Sequence, residues 1–375
     1  MRKSGVYRSI GNINFFVPYP LPPKDPSFNM DAEAIELYGQ AMLQLGKLNE
    51  MTEQLPNKER FINAYIKKEA LLSSAIEGIH TTLFDMFTQP LLTTRPSKDV
   101  QLVMNYTKAL KSSVRMIKQD NLPISTRVIL NAHRELMQIG DDYKANPGNY
   151  RKQTVKVGNL VPPPAHEVVH MMSELETYIN TDETLPPLIK AGLAHVQFET
   201  IHPFLDGNGR IGRLLIVLML VEAGILSEPI IYPSYYFKKS PYDYYGLLDG
   251  VRTKGDFESW IKYYLTVVKD SCIDSCKRAS DIEKLEEKII NIISEDERFS
   301  SVRETRLKAV PVFFDRPIIR VKDLSTELAV SYNTANKIIL DFLELGFLER
   351  ENKKKRGKLF TFNPYFEILE REYHW

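Results

Sequence analysis

Cysteine is nearly absent from this chain. Two occur among 375 residues, Cys272 and Cys276, one helical turn apart. That excludes a disulfide framework and a four-cysteine zinc site, and it leads us to expect a reducing, cytoplasmic compartment. Long apolar runs are missing as well. The longest, from Leu214 to Leu226, contains Glu222 and is too short to span a bilayer, so no membrane partner is expected. The N-terminal stretch MRKSGVYRSIGNINFFVPYPLPP starts basic but has no apolar segment of signal-peptide length. Neither sign of charge is in excess. The net charge of +1 excludes a protein that coats a polyanion along its whole length, and it leaves room for a local basic patch. No GKS or GKT closes a glycine-rich stretch, so there is no Walker loop.

What is present is ordinary globular material, 43% hydrophobic and 26% charged, enough for two or three domains. Residues 1–30 are rich in Pro, Asn and aromatics and read as an extended arm. From Asp31 the apolar spacing turns helical, in DAEAIELYGQAMLQLGKLNEM, then from about Asn57 through FINAYIKKEALLSSAIEGI, then in VQLVMNYTKALKSSVRMI and TRVILNAHRELMQI. NPGNYRKQTVKVGNLVPPP interrupts the helices. Thr154, Val155 and Val157 favour strand, Gly158 and Asn159 a turn, and three prolines end it, which predicts a short hairpin or flap. Helices resume at AHEVVHMMSELETYI and PLIKAGLAHVQFETI. PYDYYGLLDGVRTKGDFESWIKYYLTVVKDSC predicts one further helix. Beyond Lys277, a helix–turn–helix pair, two short strands and a basic loop follow in the pattern of a winged helix.

The stretch HPFLDGNGRIGR, residues 202–213, carries the chemistry. Glycines at 207, 209 and 212 suit a turn with exposed N–H groups that feeds a helix N-terminus, a natural place for an anion. Arg210 and Arg213, three apart, share a face and point to a polyphosphate. Asp206 suits magnesium, and His202 suits a base near neutral pH.

This string resembles the signature of the Fic family, HPFx[DE]GNGRxxR, at every fixed position. HVQFETI before it, GNYRKQTVKVG with its prolines, and YYGLLDGVRTKGDFESW after it are similar to the family too, so the resemblance covers roughly residues 60–270. It implies a mainly α fold and transfer of AMP from ATP to a Ser, Thr or Tyr hydroxyl of a target protein and of the chain itself. His202 resembles the general base and Asp206 the magnesium ligand. Gly207, Asn208 and Gly209 resemble the anion hole, Arg210 and Arg213 the phosphate-binding arginines, and Ile211 and Gly212 fall among the ATP-binding residues. A relative that transfers phosphate has lysine where Gly209 lies, which disfavours phosphotransfer. Tyr244 and Tyr245 fall where the family lines its adenine pocket; the sequence does not choose between them. Upstream, Ser73, Glu77 and Gly78 match [ST]xxxE[GN], the family's inhibitory motif. Glu77 then resembles a plug that pairs with Arg213, oriented by Ser73.

Resemblance and element pattern together predict residues 1–100 as arm and helices including the inhibitory one, 101–275 as the catalytic core, and 280–375 as the winged helix. The flap, residues 154–158, is expected to take an extended segment of the target by strand addition. In the winged helix, Ser331, Asn333, Thr334, Asn336 and Lys337 on the second helix, with Lys353, Lys354, Lys355, Arg356 and Lys358 in the basic loop, fit phosphate contacts with DNA. Protein docking or pairing with a second copy of the chain is the other use. The competing readings are a DNA-binding regulator whose core senses nucleotide, and a zinc hydrolase built on HEVVH at His166, Glu167 and His170. Removal of AMP, with Glu77 aligning water, uses the same groups as its transfer.

Overall fold

The computed structural model describes residues 2–371 apart from 56, 93, 139–145, 182–183 and 352–357. An antiparallel hairpin opens the chain, β1 (Gly5–Ile10) with β2 (Ile13–Pro18), in register from Gly5 opposite Pro18 to Ile10 opposite Ile13. Helices follow: α1 (Ala32–Gln54), α2 (Lys58–Ile76), α3 (Leu83–Thr88), α4 (Lys98–Lys118), α5 (Thr126–Met137), α6 (Val168–Thr181), α7 (Pro187–Ile201), α8 (Asn208–Glu222), α9 (Ser234–Lys239), α10 (Pro241–Lys254) and α11 (Phe257–Glu295). The chain ends with α12 (Arg303–Asp315), β3 (Ile318–Ile319), α13 (Val321–Glu327), α14 (Tyr332–Glu344), β4 (Glu349–Arg350), β5 (Phe360–Thr361) and α15 (Asn363–Glu370). The fold is mainly α. No helix among the described residues is long and apolar enough to cross a membrane.

The chain divides into two compact units. The first comprises Met1–Pro56, Tyr65–Thr81 and Ser97–Ile273. Its centre is the pair α7 and α8. Every residue of α7 from Leu188 to Ile201 is buried, and so is every residue of α8 from Arg210 to Val221. A helix apolar on all sides has no solvent face to offer and is enclosed by its neighbours, here α4, α5 and α6 among others. Each enclosed Leu, Ile or Val contributes about 1.5–3 kcal/mol. Close approach needs glycine: a Cβ on Gly212 would run into Glu199 and sit 3.2 Å from Phe198.

The second unit comprises Asn57–Ala64, Thr82–Pro96 and Asp274–Trp375. Its sheet has the order β3-β5-β4, antiparallel throughout. Phe313, Phe342 and Phe362 form its aromatic centre. From α12 to β5 the elements run helix, strand, helix, helix, strand, strand. On α14, Tyr332, Asn333 and Lys337 are exposed, and so is Ser331 at its cap, while Thr334 and Asn336 are half-buried. Lys358 is exposed; Lys353, Lys354, Lys355 and Arg356 lie outside the described residues.

Three local readings change. The arm is a hairpin: Gly11, at φ 59°, makes the tight turn with Asn12, and Phe15, Phe16 and Val17 are buried. With consecutive residues buried, the strand shows no alternation for the sequence to reveal. The expected single helix from Pro241 is two, because Gly255 at φ 67° ends α10 in the left-handed region. The flap is mostly irregular. Its one pairing is a bridge between Val157 and Leu160 around Gly158 and Asn159. Phe16 of the hairpin donates its N–H to the Val161 carbonyl at 2.9 Å.

Candidate active site

The site is the loop between α7 and α8. His202 caps α7 in a left-handed conformation, φ 51° and ψ 63°, and Gly207, at φ 80°, caps the start of α8. Gly207 adopts that geometry freely, whereas in His202 it costs about 1–2 kcal/mol. Asn208 clips the loop shut: its side chain accepts from the Phe204 N–H at 2.8 Å and donates to the Phe204 carbonyl at 2.9 Å. Its amide is therefore used inside the loop, and its backbone N–H is what it can offer a ligand. The first intrahelical bond of α8 runs from Ile211 N–H to the Gly207 carbonyl, 3.0 Å. The N–H groups of residues 208–210 precede it, and no side chain caps them. Such a helix start favours an anion. The Ile211 side chain itself belongs to the core.

Arg210 is 2% exposed. One nitrogen, Nη2, reaches Asp206 Oδ1 at 3.4 Å and Met137 Sδ at 3.6 Å, while Nε and Nη1 are buried with no partner among the described residues. Burial lowers its pKa. Asp206 is exposed; its Oδ1 accepts from the Gly207 N–H at 2.6 Å.

Arg213 is fully buried. Its Nε donates to Ser73 Oγ at 2.9 Å, and Nη2 donates to the Ser73 carbonyl at 2.8 Å and to Glu77 Oε1 at 2.7 Å. Burial works against its charge, and Glu77, Tyr244 and Glu199 together more than offset this, so its pKa is raised. Glu77 lies in the turn that ends α2, its N–H on the Ser74 carbonyl. Its carboxylate occupies the space a Cβ on Gly209 would fill. Ser73, Glu77, Gly209 and Arg213 thus meet as the sequence pattern requires.

Burial lowers the His202 pKa to about 4, and Arg252 and Arg151 act in the same direction. The imidazole is neutral at pH 7. Its Nδ1 is buried and unpartnered among the described residues. Of the two tyrosines, Tyr244 is 1% exposed, in the aromatic core, with its hydroxyl 2.9 Å from His195 Nε2; Tyr245 is 48% exposed and has surface to offer. Burial lowers the His195 pKa to about 3. The HEVVH residues are laid out differently from a metal site. His166 is on a single 3-10 turn and His170 on α6, both exposed, and Glu167 accepts from Arg8 at 2.8 Å. No group of three or more His, Cys, Asp or Glu converges on one point among the described residues.

Sequence reasoning missed two residues. His133 of α5 accepts the Gly148 N–H at Nδ1, 3.0 Å, so its Nε2 carries the proton donated to the Asp206 carbonyl at 3.1 Å. It stacks on Phe204 at 3.7 Å, and burial lowers its pKa to about 4. Arg151 binds the carbonyls of Ile201 and His202. Both act on main-chain groups, which carry no sequence signal.

Fold and site together define a mainly α protein whose candidate site is an anion-favouring helix start beside a neutral histidine. A model of the Fic/DOC family matches residues 123–220, and one of the Fic/DOC family N-terminal region matches residues 35–115. Over these two segments the chain is similar to the Fic/DOC family. It is 32% identical over 210 residues to the protein adenylyltransferase Fic of Drosophila erecta, and 31% to that of Drosophila melanogaster. These alignments cover 52% of this chain and 40% of the fly proteins, so the chain spans well under two thirds of the relatives' length. Among solved structures, a Fic family protein from Desulfovibrio desulfuricans shares the fold with a TM-score of 0.57 at 20% identity, over 89% of this chain and 97% of that one. Fic-1 of C. elegans does so with a TM-score of 0.51 at 20% identity, over 65% and 73%.

Proposed function

We propose that the chain is a protein adenylyltransferase that moves AMP from ATP to a Ser, Thr or Tyr hydroxyl of a protein, itself included, and that Glu77 restrains it. The observation that carries this reading is Arg210, a buried guanidinium whose Nε and Nη1 have no partner among the described residues, beside N–H groups of α8 that no described side chain caps. A buried cation with free donors calls for an anion. A second arginine on the same helix turn makes that anion a polyphosphate. His202, neutral through burial, takes the proton of the incoming hydroxyl. The oxygen bonds to the α-phosphorus, the bond from that phosphorus to the oxygen bridging it to the β-phosphorus breaks, and pyrophosphate leaves with the electron pair.

Asp206 would hold the magnesium ion. Its side chain is exposed and its Oδ2 has no partner among the described residues. One carboxylate completed by phosphate oxygens and water is an ordinary magnesium arrangement. The bound ion supplies charge neutralisation for the phosphates. Tyr245, on the exposed side, is the tyrosine to stack on the adenine. The naming of the fly relatives as protein adenylyltransferases supports the same reading.

The test is incorporation of label from α-³²P-ATP. His202→Ala is expected to lose about 10²–10⁴-fold in labelling with ATP affinity retained, because the imidazole moves a proton and does not bind phosphate. Labelling by the alanine variant at the parent rate would overturn the assignment.

A further inference from the structure

Arg151 lies outside the motif, in the segment that leads into the flap. Its side chain is 2% exposed. Burial alone moves its pKa, down to about 10, and no acidic side chain pairs with it among the described residues. A guanidinium enclosed without a counter-ion must place its N–H groups on acceptors, and all of these are main-chain carbonyls. Nε donates to His202 O at 2.8 Å. Nη2 donates to Pro163 O at 2.6 Å and to Ile201 O at 3.3 Å. Nη1 donates to Gln153 O at 3.1 Å, and the Arg151 N–H reaches Pro203 O at 2.8 Å.

These acceptors fall into two sets. Ile201, His202 and Pro203 are the last residue of α7, its cap and the residue after it, where the backbone enters the left-handed region at His202. Gln153 and Pro163 bracket the flap. The left-handed conformation of a histidine persists only where its surroundings impose it, and the carbonyl directions at residues 201 and 202 are what that conformation sets. One planar fork therefore fixes the backbone that aims the imidazole and the two ends of the segment on the acceptor side. We infer that Arg151 is a positioning residue that sets the His202 imidazole and the flap as one unit, so that base and incoming hydroxyl arrive in register. The inference rests on the proposed transferase reading.

The experiment uses the full chain in a Glu77→Gly background, with self-labelling from α-³²P-ATP as the probe. Arg151→Met and Arg151→Lys are compared with the parent for kcat, ATP affinity by calorimetry, thermal melting and the pH profile of kcat. Arg252 also faces the ring and stays constant; Glu77, the other charge facing it, is absent from the whole series. Arg151→Met is expected to lower kcat by about 10²-fold with ATP affinity unchanged. Loss of its positive charge also moves the acid limb of the profile to higher pH. Arg151→Lys restores the charge and hence the acid limb. It does not restore the rate, because an ammonium cannot aim at both sets of carbonyls. A parent rate in Arg151→Lys overturns the inference, and so does a loss in either variant that is accounted for by weaker ATP binding. Should Arg151→Met melt at the assay temperature, Arg151→Lys decides alone. If the Glu77→Gly parent labels no protein at all, the transferase reading fails. If the parent labels and the Arg151 variants match it, only the inference fails.

Discussion

At the scale of single residues, the Asn208 side chain closes the loop while its backbone N–H stays available. Its two bonds satisfy both peptide groups of Phe204, which are buried. Alanine would leave an N–H and a carbonyl unpaired, each costing about 1–3 kcal/mol. Asn208→Ala is therefore expected to lower the melting temperature by several degrees, at roughly 2–4 °C per kcal/mol for a unit of this size. An unchanged melting curve would show that water or a neighbour replaces the amide. The residues from 202 to 213 were legible in the sequence because they are contiguous, and their types alone narrow the chemistry. Arg151 and His133 were not, because each is defined by the carbonyls it meets, and those belong to distant segments. The choice between Tyr244 and Tyr245 needed burial, since adjacent positions on a helix differ only in which way they face.

Among elements, the meeting of α2 with α8 determines how the site is regulated on the proposed reading. Arg213 spends its donors on the last turn of α2 and on Glu77. A nucleotide phosphate competing for that guanidinium loses a charge-assisted contact of about 1.5–3 kcal/mol and meets a like charge. Glu77→Gly should raise self-labelling. Arg213→Ala added to it should cancel the gain, because both changes act through one contact and cannot add. An active double variant would mean that the plug acts elsewhere than at Arg213. Helices were the most legible elements, their apolar spacing being long and regular. The hairpin at Gly5–Pro18 was hidden because its strands are short and both Phe15 and Phe16 are buried, which erases alternation. The break at Gly255 was hidden because a lone glycine is tolerated in a helix unless the backbone must turn there.

For the molecule as a whole, buried titratable groups of the first unit set a pH window. His133, His195 and His202 have pKa values of about 4, 3 and 4, below the ordinary 6.5. Unfolded, they take up protons near 6.5, so their share of stability is complete above that pH and is lost as pH falls toward 4. Burial raises Glu69 and Glu199 to about 7 from 4.5. Their share is complete below 4.5 and is lost as pH rises through 7. Thermal melting followed across pH should therefore peak at roughly pH 6–7. Glu199→Gln should lessen the fall on the alkaline side. A melting temperature that rises steadily from pH 6 to 9 would contradict the burial of these carboxyls.

The absence of a side chain at 209 has a consequence for how restraint can be lost through mutation. The space above that glycine admits either the Glu77 carboxylate or, on the proposed reading, part of a triphosphate, and Arg213 serves both in turn. A lesion on α8 that evicts the glutamate thereby spoils the seat of the nucleotide. On that same reading, only lesions on the α2 side would unlock the protein without disarming it. Hyperactivity would then have a narrow mutational target, confined to one short turn, and inactivity a broad one. Random drift in the loop therefore fails toward silence.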